Sequence, residues 1–277
     1  MMYTSLPKRV GNAVRLAEVV QILVKHGFAD LVQRLGLRES IPAKALRKLR
    51  LIDDTPSAPE TIGARLRAAL TELGPTFVKY GQILSTRPDL IGNDLCAELS
   101  RLQDRVEVLS FDSMRPIIEE DLGAPISSSF LEFNESPVAS ASLSQVYRAR
   151  TKTGREVAVK VQRPGVRAKV VSDISLLFGI AEWVTERVKE FAWMDPVGTV
   201  EEFERSILRE LDFTIEARVI QRFRTIYGND NRVFIPYVET GLSGPRVLTM
   251  DWVDGVRVDA IDKFAERNCD PREIAII

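Results

Sequence analysis

The chain has 277 residues, 45% of them hydrophobic and 28% charged, and a formal net charge of -1. This composition is typical of a soluble globular protein, and the length suits two domains. No run of eighteen apolar residues occurs, so we expect no segment to span a bilayer. One histidine (His26) and two distant cysteines (Cys96 and Cys269) argue against a Ser/His/Asp site, a histidine-ligated metal and a disulfide framework.

A basic amphipathic helical segment is predicted over residues 1–52. Residues 1–50 hold ten Lys/Arg and three acidic residues, which leaves +7 there and −8 in the rest of the chain. Such a segment suits either an anionic membrane surface or a solvated face on a helix that packs against its own domain. The remainder has no basic stripe, so nucleic acid is not expected as a partner.

A helical extension is predicted over 60–122, after a linker over 53–59. Gly74 is suited to ending one helix and Pro75 to opening the next. Asn93 is predicted to cap a helix that runs through Leu102.

A β-rich part from Phe130 to Gln162 follows, and helices and strands come after it. The predicted helices cover 168–194 and 199–227, the second with a Thr199/Glu202 capping box, and the predicted strands cover 233–239 and 246–253. Residues 256–277 begin a helical pattern that stops at an uncapped apolar end. From this we expect a chain cut before its second half.

The most informative stretch is the strand-like run Val157–Gln162. Alternation places Val157, Val159 and Val161 on one face and Ala158, Lys160 and Gln162 on the other. A lysine beside a small alanine is how kinase-like folds hold ATP, with a helix glutamate fixing the ammonium group. A β-hairpin with a solvated lysine remains the alternative.

Further motifs are individually weak. Lys79 and Gln82 share a helix face, and the intervening Gly81 indicates a close approach to the backbone. The loop from Ala139 to Gln145 has small side chains that would let backbone N–H groups approach phosphate, although it also fits a plain polar loop.

Acidic residues and a hinge pattern complete the set. On one straight helix, Glu210 and Glu216 would point about 120° apart, whereas Asp212 and Glu216 would share a face. Solvated acids are the alternative for each. The run Val247–Gly255, an apolar strand followed by an acidic residue and a glycine, suits a hinge whose backbone pairs with adenine, or a simple edge strand.

Taken together, these motifs resemble the UbiB family of atypical kinases, the ubiquinone-biosynthesis accessory proteins. The resemblance covers about 73–255 and includes the family's KxGQ motif (Lys79–Gln82), its alanine-rich loop (Ala139–Val146), its nucleotide lysine (Lys160) and its ExD motif (Glu210 and Asp212). It implies a protein-kinase-like fold, ATP or ADP binding with Mg²⁺, conditional ATPase activity and little protein kinase activity. Quinone-pathway enzymes and a cardiolipin-bearing membrane are the implied partners.

The resemblance also implies residue roles. The nucleotide-binding residues would be Lys160, Glu216, Ala139, Ser140, Ala141, Ser142, Ala158, Met250, Asp251 and Trp252. A regulatory gate would be formed by Lys79, Gln82, Glu210 and Asp212. Serine at 140 and 144 departs from the family's commoner alanine and glycine. No catalytic-loop aspartate or Asp-Phe-Gly follows the hinge, so neither catalytic nor metal-binding residues are expected within these 277 residues.

The predicted fold is therefore α+β: a kinase-like small lobe with a twisted antiparallel sheet and inserted helices (123–255), preceded by the helical extension. Residues 256–277 would start a large lobe that is otherwise absent. The expected function is the ATP-binding portion of an atypical kinase-like ATPase that supports ubiquinone biosynthesis, cytoplasmic and peripheral to an inner membrane of bacterial or organellar type. The alternative is a non-enzymatic pseudokinase module that binds a membrane or partner protein. We expect a Lys160–Glu216 ion pair and no ATP hydrolysis by this chain alone.

Overall fold

The structure is a computed structural model that describes residues 7–34, 61–102, 107–187 and 195–256, with isolated positions near the C-terminal end. The chain divides into two compact units. The helical unit comprises Met1–Glu107, Ser140–Leu143 and Gly165–Arg209, and the sheet unit comprises Val108–Ala139, Ser144–Pro164 and Glu210–Ile277. Among the described residues, no helix is long and apolar enough to cross a membrane.

The helices of the helical unit are separated by short turns. They are α1 (Pro7–Lys25), α2 (Ala29–Arg34), α3 (Ile62–Leu73), α4 (Pro75–Leu84), α5 (Pro88–Ile91), α6 (Asn93–Leu99), α9 (Val166–Arg187) and α10 (Pro196–Glu210). Gly74 ends α3 with φ +100°, and its N–H donates to Leu70 and Thr71. Pro75 then opens α4, so the predicted helix boundary is confirmed.

The predicted cap at Asn93 is wrong. Gly92 occupies the cap position of α6 with φ +77°, and Asn93 is already the first helical residue. Because glycine adopts this backbone conformation without strain, the chain turns directly from α5 into α6. The helix also ends at Leu99, before the predicted Leu102.

The N-terminal helix packs within its own unit. Ala17 and Val20 of α1 are buried together with Val32 of α2, and Ile180 and Val184 of α9 pack against them. For the part of α1 whose side chains are described, the packed helix of the second alternative is confirmed, but the solvated basic face is not, since the Arg15 side chain is 12% exposed and pairs with Asp173. Residues 35–60 lie outside the described part of the chain.

A twisted antiparallel sheet is the centre of the sheet unit. Its strands are β1 (Phe130–Phe133), β2 (Ala139–Ser140), β3 (Ser144–Thr151), β4 (Glu156–Gln162) and β5 (Val247–Asp251). The order is β1-β3-β4-β5, and β2 also pairs with β3. Its helices are α7 (Phe111–Leu122), α8 (Ile126–Ser129) and α11 (Phe213–Tyr227).

The two faces of the sheet differ as the alternation in β4 predicts. The core face comprises Tyr147, Val157, Val159 and Val161, all fully buried and packed with residues such as Ile118 of α7. The open face comprises Val146, Ala158, Lys160 and Met250. Because α7 supplies the core beneath β4, the structure groups residues 108–122 with the sheet, whereas the sequence placed them in the helical extension.

The predicted single helix over 199–227 is wrong in two respects. The helix begins at Pro196, where the Asp195 carboxylate accepts from the Gly198 N–H, so the cap lies before Thr199. It also ends at Glu210, and a separate helix, α11, starts at Phe213. The preceding helix, α9, likewise begins earlier than predicted, at Val166.

The predicted strand over 233–239 is reduced to one isolated bridge, Val238 to Met250. The flanking backbone bonds run from Glu239 N–H to the Thr249 carbonyl and from Asp251 N–H to the Tyr237 carbonyl. Pro236 has no N–H to donate, which explains why the pairing does not extend toward residue 233.

Candidate functional site

An ion pair between Lys160 and Glu216 lies on the open face of the sheet. The Lys160 Nζ donates to both Glu216 carboxylate oxygens, at 2.7 and 3.0 Å. The Lys160 side chain is 24% exposed and that of Glu216 is 38% exposed, so the pair stays accessible to solvent. Nζ also lies 4.8 Å from the centre of the Phe213 ring. The predicted ion pair is therefore confirmed.

Glu216 reaches Lys160 because α10 ends at Glu210 and a new helix, α11, begins after Leu211 and Asp212. Asp212 Oδ1 caps α11 by accepting from the Thr214 N–H (3.0 Å) and the Thr214 hydroxyl (2.6 Å). The sequence interpretation placed Glu210, Asp212 and Glu216 on one straight helix. That interpretation is wrong, since Glu210 ends one helix and Glu216 lies in the first turn of the next.

Gln162, on β4, contacts the turn between α10 and α11. This buried amide donates to the Leu211 carbonyl at 2.8 Å and to the Pro245 carbonyl at 3.1 Å. The Phe213 N–H donates to the same Pro245 carbonyl at 3.0 Å. Sequence analysis placed Gln162 on the Lys160 face and gave it no role, because its partners lie far along the chain.

Small and apolar side chains surround the lysine on the open face. Ala158 lies opposite Met250, and Val146 lies opposite Lys160 in the strand pairing. Met250 packs against the buried cluster of Phe213 and its neighbours. Sequence analysis gave Val146 only as the end of the alanine-rich loop, because its place opposite Lys160 depends on the register between β3 and β4.

Polar groups of the hinge segment form hydrogen bonds with other parts of the protein. The Asp251 carboxylate accepts from the Tyr237 N–H at 2.8 Å, and the Trp252 N–H donates to the Glu156 carbonyl at 3.1 Å. Since the Asp251 N–H is also bonded, a backbone N–H for adenine would have to come from Val253 or beyond. Asp251 lies opposite Val157 in the strand pairing. Its side chain is therefore on the core face, whereas that of Met250 is on the open face.

Arg148 borders the hinge on the same face of β3 as Val146. Its guanidinium group donates to Glu156 at 2.6 Å and lies 5.0 Å from the Trp252 ring centre. This hydrogen bond holds the pKa of Glu156 below its usual value. Trp252 is therefore held by a cation–π contact.

The alanine-rich loop begins with β2 and continues to β3. Ala139 and Ser140 form β2, and Ser142 is buried. The phosphate-binding role of Ala139, Ser140, Ala141 and Ser142 stays a prediction.

The KxGQ residues lie on α4 of the helical unit. A Cβ added to Gly81 would come within 2.5 Å of a Leu102 methyl carbon and 2.8 Å of a Leu70 methyl carbon, so the predicted close approach is confirmed. Gln82 donates to the Leu102 carbonyl at 3.2 Å. Glu210 and Asp212 belong to the sheet unit, and the gate formed with Lys79 and Gln82 stays a prediction.

The donor set fits the phosphates of a nucleotide better than it fits a metal ion. A partly exposed ammonium group held by a carboxylate is suited to an anionic ligand. Within the described ranges, no group of three or more His, Cys, Asp or Glu side chains could hold a metal ion.

The chain is similar to known proteins. A model of the ABC1 atypical kinase-like domain matches residues 101–276. The probable protein kinase UbiB of Pseudomonas putida (strain W619) is 36% identical over 262 residues, which cover 94% of this chain and 48% of that protein. The chloroplastic protein ACTIVITY OF BC1 COMPLEX KINASE 7 of Arabidopsis thaliana is 42% identical over 210 residues, covering 76% of this chain and 30% of that one.

A solved structure is also similar. The Mycobacterium tuberculosis protein Rv3197, solved in complex with erythromycin, has 30% identity and a TM-score of 0.50, covering 69% of this chain and 48% of that chain. This chain thus spans about half the length of the UbiB proteins it matches. The fold is α+β and kinase-like, and the chain belongs to the ABC1 atypical kinase-like family.

Proposed function

We propose that the sheet unit binds ATP or ADP, with Mg²⁺, as part of an atypical kinase-like ATPase that supports ubiquinone biosynthesis. The observation that carries this proposal is the accessible Lys160–Glu216 pair on the open face. The quinone pathway rests on the similarity to UbiB proteins.

Each part of the open face would have a task in this proposal. The Lys160 ammonium group would bind phosphate oxygens while Glu216 fixes its direction. Phosphate binding requires that part of the ammonium group is accessible to solvent. Ala158 leaves room for a flat base, and Val146 and Met250 would contact the base from the same face of the sheet. The Val253 N–H would pair with the edge of adenine, since the N–H groups of Asp251 and Trp252 are already bonded.

Calorimetric titration with MgATP and MgADP tests the proposal. The wild-type chain should bind ADP weakly and saturably, and Lys160→Met should abolish binding. Lys152→Met is the matched control, because Lys152 lies in the same unit and donates to the Ser127 carbonyl, away from the open face. Equal binding by wild type and Lys160→Met would refute the proposal.

We expect no measurable ATP turnover by this chain. Phosphoryl transfer depends on positioning and charge stabilisation, and the catalytic-loop aspartate and Asp-Phe-Gly that supply them in kinases do not occur in this sequence. Steady phosphate release that disappears in Lys160→Met would contradict this expectation.

The gate is a second part of the proposal. Lys79 and Gln82 would act as gate residues over the nucleotide site and limit access to the open face. A lysine-reactive ATP analogue should then label Lys160 faster in a Lys79→Ala/Gln82→Ala double variant than in wild type. An unchanged labelling rate would argue against a gate.

The basic N-terminal segment is proposed to contact an anionic membrane, which would place the protein peripherally on an inner membrane. The apolar side of α1 is occupied by its own unit, so charge has to provide the attraction. Co-sedimentation with cardiolipin-containing vesicles should weaken in high salt. Equal binding to neutral vesicles would count against the proposal.

A second candidate function is that of a binding module without enzymatic activity. The observation in its favour is the exposed stripe of Val219, Phe223 and Ile226 on α11, with Arg218 and Arg222 beside it. Residues 217–229 contain no acidic residue, so the stripe suits a partner helix with an apolar face and acidic flanks. Phe223→Ser should weaken binding to such a designed helix without changing ADP affinity, and an unchanged affinity for the helix would dismiss this candidate.

A further inference from the structure

We infer that Gln162 is the positioning residue that holds Glu216 in reach of Lys160. Lys160 and Gln162 both lie on β4. Gln162 follows Lys160 by two residues and is on the same face of the sheet. Lys160 contacts the ion-pair partner on α11, and Gln162 contacts the chain just before α11 begins. One strand therefore carries the lysine and also the group that fixes the lysine's partner.

The turn between α10 and α11 needs a hydrogen-bond donor from another part of the chain. Carbonyl groups at the end of a helix have no intrahelical partner, and buried carbonyls need one. Leu211 is buried, and its carbonyl receives the Gln162 amide at 2.8 Å. The same amide nitrogen also donates to Pro245 at 3.1 Å, which uses both of its hydrogens.

The Pro245 carbonyl connects this amide to α11 itself. It also accepts from the Phe213 N–H, at the first residue of the helix. Gln162 and Phe213 therefore share one anchor, and Glu216 follows within the first turn. A shift of this turn would move the Glu216 carboxylate away from its 2.7 Å contact with Lys160.

A general contribution of Gln162 to stability is the competing explanation, and Gln145 provides a matched control for it. Gln145 is also a buried amide of the same sheet, on neighbouring β3, and lies on the core face. Its amide exchanges hydrogen bonds with the backbone of Leu109, at 2.6 and 3.3 Å, and donates to the Tyr147 hydroxyl at 2.6 Å, so none of these bonds reaches α11. Removing either amide leaves backbone groups unsatisfied, but only Gln162 should affect the ion pair.

The test is side-chain ¹⁵N NMR of the Lys160 ammonium group in the 277-residue chain without nucleotide. Lys160→Arg assigns the signal, and Glu216→Gln gives its position when the ion pair is lost. Gln162→Met should move the signal to the Glu216→Gln position, whereas Gln145→Met should leave it at the wild-type position. If Gln162→Met does not fold, Gln162→Asn keeps a buried amide but withdraws it by one methylene, and it should give the same shift.

An unchanged Lys160 signal in a folded Gln162 variant, or an equal shift in Gln145→Met, would overturn the inference. Its consequence for nucleotide rests on the proposed function and is measured separately. ADP affinity in Gln162→Met should fall to the level of Glu216→Gln, and Gln145→Met should retain wild-type affinity. If the wild-type chain binds no ADP, the proposed function fails while the ammonium signal still decides the role of Gln162.

Discussion

Two ion pairs, one in each unit, show how burial separates a structural charge from one that can serve a ligand. In the helical unit, Arg15 Nε donates to Asp173 at 2.7 Å, and the two side chains are only 12% and 1% exposed. In the sheet unit, Lys160 and Glu216 form an equally short pair with 24% and 38% exposure. Similar distances therefore accompany very different access to solvent.

Arg15 is contacted by groups from several helices of its unit. Its guanidinium also donates to the Leu73 carbonyl at the end of α3, pairs with Glu18 and lies 5.5 Å from the Phe77 ring centre. Burial alone would lower the pKa of Arg15, but the bonds to Asp173 and Glu18 outweigh this and raise it. The residue joins α1, α3, α4 and α9, whereas Lys160 keeps a side open.

The largest effect is expected from Arg15→Met. Removing the guanidinium leaves the Asp173 carboxylate buried without its partner, which should lower the free energy of unfolding by about 3–5 kcal/mol. Urea denaturation measures it.

The double variant Arg15→Met/Asp173→Leu is the control for that experiment. Replacing both charges with apolar side chains removes the unpaired carboxylate and should recover most of the lost stability. A single variant as stable as wild type would show that the buried pair is not the structural element described above.

Lys160→Met should have a much smaller effect on stability. The pair is partly exposed, and pairs of this kind contribute about 0–1 kcal/mol. The free energy of unfolding should therefore change by less than about 1 kcal/mol, measured by urea denaturation beside Lys152→Met. A loss as large as that of Arg15→Met would remove the distinction between the two pairs.

The smallest effect on the free energy of unfolding is expected from an exposed ion pair in the helical unit. Glu72 on α3 accepts from Lys25 at 2.7 Å and from His26 at 2.8 Å. The bond from Lys25 lowers the pKa of Glu72, with a further contribution from His26, although burial opposes both. A carboxyl whose pKa is lowered by folding adds stability above its unfolded pKa of about 4.5, and this is lost as the pH falls through the folded value.

Urea denaturation of wild type and Glu72→Gln from pH 7 to pH 3 checks this sign. Wild type should be more stable at pH 7 by a few tenths of a kcal/mol, since solvent screens the pair. The difference should shrink as the solution becomes acidic, and a difference independent of pH would contradict the assignment.

Local patterns in the sequence predicted the parts of the site that depend on neighbouring residues. Alternation in β4 placed Lys160 away from the valines, and Gly74 with Pro75 marked a helix boundary. The Lys160–Glu216 pair followed from the resemblance to UbiB proteins rather than from spacing.

Features fixed by distant contacts could not be predicted in this way. The helical pattern runs without interruption through Leu211 and Asp212, whereas the contacts made where the helix is interrupted come from Gln162 and Pro245, in other parts of the chain. The place of Val146 opposite Lys160 likewise requires the strand register.

The most direct test of the central claim follows both ion pairs during one titration with MgADP. Side-chain ¹⁵N NMR can record the Lys160 ammonium and the Arg15 Nε–H signals of the same sample. We predict that the Lys160 signal shifts saturably while the Arg15 signal stays in place, because only the first pair is accessible to a ligand. A shift of Arg15 with no change at Lys160 would contradict the assignment of the open face as the nucleotide site.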